Sequence, residues 1–322
     1  MRFGSPAWEV EIVRSSAIVM AALALAASAC SQEPVLSAGL ESTAAQSAQQ
    51  PTNAALPSSA TSEAVENPVS DAKPETEPEA SRDVPKGVEM YWPAAAVMTT
   101  GGSAPSLVVL VPGGGWVSAD PTGLVPLAES LADVGAIVAT ITYRTASDGV
   151  YFPEPAEDIA CAVAAAAAAA SASGTEPGEI VVVGHSAGAQ LGALFALRPA
   201  ELSMRCADPA APPDRFVGLA GPYDVAHIGP FASDLFGPAN TDPADWTDAN
   251  PVDHAAQRPD LDVLLIHGRA DRAVPIHLTE AFASALVDGS HRVEAQYPVG
   301  VDHHTVYSAE VAAPLIVTWL GL

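Results

Sequence analysis

The sequence predicts an α/β fold, a mostly parallel central sheet with helices on both faces, carried by residues 86–322. Three observations point there. Short β-rich apolar runs recur at 106–111, 136–143, 179–184, 216–220, 261–267 and 293–297. Stretches of helical length separate them, at 124–134, 154–172, 187–197, 277–287 and 306–320. The runs are apolar almost throughout instead of alternating, the pattern of strands covered on both faces.

Taken in order, the run at 106–111 stops at Pro112-Gly113, where a ladder donor is missing and the chain must turn. The run at 136–143 is rich in the β-branched residues that suit a pleated surface. The stretch at 154–172 follows Pro153 and is largely alanine, the best helix former. Glu-Ile-Val-Val-Val at 179–183 reaches Gly184, and an Ala- and Leu-rich stretch begins again at 187. Three more strand runs, with helices after the second and the third, continue the alternation to the end of the chain. No internal repeat is visible, and a stretch of this length makes one domain.

The whole chain has 322 residues, 49% of them apolar and 16% charged, the composition of a soluble globular protein. Its 13 basic against 38 acidic residues give a formal charge of −25. A surface of that sign repels polyanions, which excludes nucleic-acid binding through phosphate contacts.

The first 30 residues read as an export signal. Arg2 and Arg14 precede an apolar run over 17–29, too short and Ala-rich for a good membrane span. Ala27-Ser28-Ala29-Cys30 resembles a bacterial lipobox, whose Cys carries a lipid after cleavage. The expectation is a cell-envelope lipoprotein anchored at Cys30, with cleavage near Ala29 and secretion as the other possibility. Residues 31–85, rich in Ser, Ala, Thr, Gln, Pro and Glu, form a disordered linker. Such a coil spans on the order of 40 Å, enough to hold a domain off a membrane.

The strongest chemical signal is Gly184-His185-Ser186-Ala187-Gly188, placed between a strand and a helix. A sharp strand-to-helix turn there exposes the Ser186 hydroxyl, and the flanking glycines remove side chains that would collide. A serine nucleophile also needs donors for the oxyanion of its tetrahedral intermediate. Pro112-Gly113-Gly114-Gly115-Trp116 directly follows the first of the strand runs, where glycines leave backbone N–H groups unobstructed. With the Ala187 N–H they make an oxyanion hole.

With these two motifs the chain resembles the α/β-hydrolase superfamily over residues 90–322. The likeness is to small esterases with an H-G-G-G-W-type loop: hormone-sensitive-lipase-like, acetyl-xylan or feruloyl esterase-like, and kynurenine-formamidase-like. Pro112 stands where that loop has His, and Gly114 and Gly115 take the oxyanion positions. The resemblance implies the chain order Ser, acid, His. His-Gly-Arg-Ala-Asp at 267–271 matches the acid-bearing loop and selects Asp271, whereas Asp260 and Asp262 precede the strand and fall at the wrong end of the sheet. Gly300-Val301-Asp302-His303-His304 matches the turn that bears the base. It selects His303 and leaves His304 in an aromatic slot, with His304 as the other candidate. His185 and His267 read as packing or supporting residues. No ligand set such as H-E-x-x-H accompanies these histidines, so neither metal nor cofactor is expected.

Cys161 and Cys206 are the remaining cysteines of three, and in an exported chain they form a disulfide or stay as two buried thiols. About 36 residues between Asp224 and 261, rich in Pro and Asp with Phe231, Phe236 and Trp246, match a short lid. A small lid suits short acyl or small aromatic esters, with Trp116 either lining the site or packing in the core. The leading expectation is a serine carboxylic ester hydrolase with a small-molecule ester substrate. The same triad serves an amide or formamide hydrolase, and a catalytically silent surface-binding module is the third reading.

Overall fold

The computed structural model describes residues 87–94, 104–228, 232–238 and 243–322. The signal segment with Cys30, the linker at 31–85, Lys86 and Phe231 lie outside the described residues. The described chain builds a seven-stranded sheet in the order β1-β3-β2-β4-β5-β6-β7. Its strands are β1 (Val88–Tyr91), β2 (Leu107–Val111), β3 (Ile137–Ile141), β4 (Ile180–His185), β5 (Arg215–Leu219), β6 (Asp262–Ile266) and β7 (Arg292–Gln296). All neighbours pair in parallel except β1, which runs antiparallel to β3 with Val88 opposite Ile141.

Helices α1 (Val125–Asp133), α2 (Glu154–Ala172), α3 (Ala187–Leu197), α4 (Pro199–Leu202), α5 (Ser233–Phe236), α6 (Pro243–Asp248), α7 (Ile276–Asp288) and α8 (Ala309–Leu320) complete the fold. Two elements correct the sequence reading. β1 precedes every predicted strand; with four residues and Glu89 exposed, it lacks the apolar run that marks β2 to β6. The helix expected over 306–320 is broken at Ser308, whose extended backbone (φ −65°, ψ 152°) separates a 3-10 turn at Thr305–Tyr307 from α8.

Side chains alternate across the pleat, so each apolar strand feeds two cores. Leu107, Val109 and Val111 of β2 pack with Ile159 and Val163 of α2, Leu191 and Phe195 of α3, and Phe282 of α7. Val108 and Leu110 point the other way, toward Leu127 and Leu131 of α1 and Ile316 of α8. Burial on both faces explains why strand residues run apolar without interruption.

Cys161 of α2 and Cys206, just beyond α4, are joined in a disulfide across 45 residues, with their Cα atoms 4.8 Å apart. Closing a loop of that size removes unfolded-state entropy worth about 4 kcal/mol in the chain-entropy description. The loops after β2, β4, β6 and β7 all leave the sheet at its carboxyl edge, where open α/β sheets place their sites.

Candidate active site

β4 delivers Ser186 at a left-handed turn, φ 52° and ψ −121°, immediately before α3. The turn is held on both sides. Ser186 N–H donates to Leu219 O of β5 at 2.9 Å, and Ser186 O accepts from the N–H of Ala189 and Gln190 at 2.9 and 3.1 Å. A β-carbon at Gly188 would overlap the carbonyl oxygen of Pro112, so this position needs glycine for the elbow and the β2 loop to pack together.

Ser186 Oγ lies 3.0 Å from Nε2 of His303, and His303 Nδ1 lies 2.7 Å from Oδ2 of Asp271. With Nδ1–H donating to the carboxylate, Nε2 is left to accept the serine proton. The Asp271 side chain is fully buried and that of His303 is 13% exposed. Burial works against the Asp271 charge, but hydrogen bonds from His267, His303 and the Val274 N–H outweigh it and hold the carboxyl far below its usual range. Asp271 Oδ1 accepts from the N–H of Ala273 and Val274 at 2.8 and 3.0 Å.

His304 is not at the serine. Its ring stands edge-on to His303 at 5.7 Å and to Tyr307 at 6.4 Å. The turn that carries both histidines is wound around Asp302, whose Oδ1 accepts from His304 N–H, Thr305 N–H and the Thr305 hydroxyl. His185 donates its Nε2–H to the carbonyl of His303 at 2.9 Å, and its ring lies tilted against that of Tyr307 with centroids 4.4 Å apart. Burial, reinforced by the neighbouring His303 ring, pushes the His185 imidazole down to about 3. It stays neutral, so it adds no positive charge beside His303 when that ring takes a proton. Asp262 pairs with Arg292 and Asp260 with Arg258, both at the amino end of β6 and so at the opposite edge of the sheet from Ser186.

The loop after β2 brings its glycines to the serine. Gly114 has φ 142° and Gly115 φ 60°, and Gly114 O accepts from Val117 and Ser118 N–H at 3.2 Å. A β-carbon on Gly114 would strike the Ser118 carbonyl oxygen, which excludes any larger residue from this turn. Among the described residues, the N–H groups of Gly114, Gly115 and Ala187 donate to no other backbone group.

Residues that sequence reasoning missed hold this loop. Tyr143 donates its hydroxyl to Pro112 O at 2.9 Å, and Thr145 and Ser147 donate theirs to Val117 O at 3.1 and 2.6 Å. Trp116 is 5% exposed, and its Nε1–H donates to Gln190 Oε1 at 2.9 Å. Gln190 in turn donates to Ala249 O at 2.7 Å. The ring is thus core packing, although the residue also borders the pocket. The available signal was Gln190 itself, a lone amide inside an otherwise apolar helix.

Ser186 and His303 open onto a cavity of about 620 Å³. Its walls include Val117, Ile228, Val274 and Pro275, with His227, Asp234 and His304 among the polar residues. His227 is tied to Asp224 at 2.6 Å.

A mostly parallel sheet with a strained serine elbow, a buried acid and a histidine arriving in that order defines an α/β-hydrolase. The BD-FAE family model matches residues 91–286, more than half of the chain, and the chain belongs to this family of α/β-hydrolase-like esterases. It is 31% identical over 199 residues to the probable carboxylic ester hydrolase LipM of Mycobacterium tuberculosis, covering 58% of this chain and 45% of LipM. Esterase LipQ of the same organism is 28% identical over 222 residues, covering 64% of this chain and 51% of LipQ. The chain therefore spans about half the length of the curated relatives it matches. Among solved structures, a truncated carbohydrate esterase from gut microbiota superposes with TM-score 0.62 at 17% identity, over 73% of this chain and 90% of that one. The apo form of Thermogutta terrifontis esterase 2 gives 0.59 at 23% identity, over 73% and 86%. At these identities the structures speak to the fold alone.

Proposed function

We propose that the chain is a serine carboxylic ester hydrolase, acting on short-chain or small aromatic esters through an acyl-enzyme on Ser186. The observation that carries this reading is the Ser186–His303–Asp271 line, 3.0 and 2.7 Å per step, at the mouth of the cavity. The names of LipM and LipQ point the same way. His303 Nε2 takes the Ser186 proton as Oγ attacks the ester carbonyl. The N–H groups of Gly114, Gly115 and Ala187 receive the oxyanion. Protonated His303, balanced by Asp271, gives that proton to the leaving alkoxide and frees the alcohol. Water, deprotonated by His303, then releases the acid and restores the serine. The cavity of about 620 Å³ serves both halves of the ester, so each half is small.

A panel of p-nitrophenyl esters from acetate to palmitate, run beside aryl formamides, tests the reading. The acetate and butyrate esters should show the highest kcat/KM. Faster turnover of the formamides would make the chain an amide hydrolase, and no turnover of either class would leave a binding module.

We also propose that Cys30 carries a lipid and that the linker holds the catalytic domain off the bacterial envelope. The support is the Ala-Ser-Ala-Cys sequence followed by a long polar segment. Wild-type protein should sediment with membranes and Cys30→Ser should not. Equal partition of the two forms would refute the anchor.

A further inference from the structure

We propose that His267, set by Thr279, is a positioning residue for the triad acid: it donates a hydrogen bond to Asp271 Oδ2 and aims that oxygen at His303. This rests on the reading of Ser186, His303 and Asp271 as the triad.

His267 and Thr279 are both fully buried, His267 at the end of β6 and Thr279 on α7. His267 Nε2 lies 3.2 Å from Asp271 Oδ2 and 3.1 Å from Val274 O. Both neighbours are acceptors only, since the carboxylate is ionised, so Nε2 must carry a hydrogen. The other ring nitrogen, Nδ1, lies 2.7 Å from the Thr279 hydroxyl. In the neutral ring that hydroxyl donates to Nδ1 and thereby selects the tautomer with hydrogen on Nε2. Without it only the two acceptors at Nε2 remain to hold that tautomer, and Nδ1 loses its partner.

The consequence is a carboxylate with every site taken. Oδ1 accepts from Ala273 and Val274 N–H, and Oδ2 accepts from His303 and shares the His267 Nε2–H with Val274 O. A carboxylate offers about four lone-pair positions, and four donors from three directions leave it no freedom to rotate. Two backbone donors alone fix only the oxygen that faces away from His303. The fourth donor, His267, restrains the oxygen that does the work. Packing alone does not explain a histidine here, because an apolar side chain of like size would fill the same space and need no partner.

Four forms of the full chain test this: wild type, Thr279→Val, His267→Leu and His267→Gln. Low-field proton NMR of the resting protein reads the His303 Nδ1–H···Asp271 hydrogen bond directly and needs no substrate. Its assignment comes from its absence in His303→Ala. The signal should shift or broaden in Thr279→Val and His267→Leu and return toward wild type in His267→Gln, whose amide can donate from nearly the same point. On whichever ester wild type hydrolyses, kcat should fall on the order of tenfold or more in the first two variants, as a misplaced catalytic group predicts, with KM nearly unchanged. Thr279→Val is nearly isosteric and keeps the test alive if His267→Leu fails to fold. A wild-type NMR signal in folded Thr279→Val and His267→Leu would overturn the inference. Failure of the esterase reading would show instead as an activity indifferent to Ser186→Ala, and the NMR result would stand apart from it.

Discussion

Ser186→Ala is expected to lower kcat/KM for the preferred ester by on the order of 10⁵-fold or more, the scale seen when an activated nucleophile is removed. The loss should be chemical and not structural. Ala keeps the backbone hydrogen bonds from Ser186 N–H to Leu219 O and from Ala189 and Gln190 to residue 186, and it has no greater difficulty with φ 52° than serine has. What disappears is the one oxygen 3.0 Å from His303 Nε2. The oxyanion donors and the pocket persist, so some residual rate over water should remain. Stopped assays with the p-nitrophenyl panel and a thermal unfolding midpoint measure the two halves of this claim. Activity within about tenfold of wild type in a folded Ser186→Ala protein would remove Ser186 from the mechanism.

The second large effect separates two adjacent histidines. His303→Ala should cost roughly three orders of magnitude or more at pH 7, because no other ring lies between Ser186 Oγ and Asp271. His304→Phe should keep most activity. The His304 side chain lines the cavity and meets Tyr307 edge-on, a role any aromatic ring of like size can fill. His185 cannot substitute for His303, since its Nε2 is committed to the His303 carbonyl. If the two variants rank in the reverse order, the base lies one residue further along the chain.

The parts of this molecule that are legible in sequence are those whose cause is local. The strands β2 to β6 announce themselves because double burial demands a nearly unbroken apolar run, whereas β7, at the sheet edge with Arg292 and Glu294 exposed, alternates. Ser186 is legible because a strained turn between strand and helix needs glycines at fixed offsets. Asp271 and His303 are found differently, by resemblance to a known order of motifs, and adjacency alone leaves His303 and His304 undecided until coordinates separate the rings. What escapes is cooperative and distant. The bond from Trp116 to Gln190 spans 74 residues, and that from Tyr143 to Pro112 spans 31. Neither hydroxyl nor amide has a periodicity to betray it. β1 escapes for the opposite reason, as a four-residue edge strand with a mixed burial pattern too brief to stand out.

The triad hydrogen bonds all run among the ends of β4, β6 and β7. The stretch between β5 and β6 stands apart from them. It supplies Pro222, His227, Ile228 and Asp234 to the cavity wall, and its anchors are Asn250 Oδ1, which accepts from Val225 N–H, and Ala249 O, which accepts from Gln190. Among the described residues it contributes nothing to the Ser186, His303 and Asp271 bonds. The Ser186–His303–Asp271 bonds and this part of the cavity wall therefore come from separate pieces of chain. Mutation of Pro222, His227, Ile228 and Asp234 leaves the Ser186–His303–Asp271 bonds in place, and a library confined to those positions should yield altered substrate preference more often than dead protein.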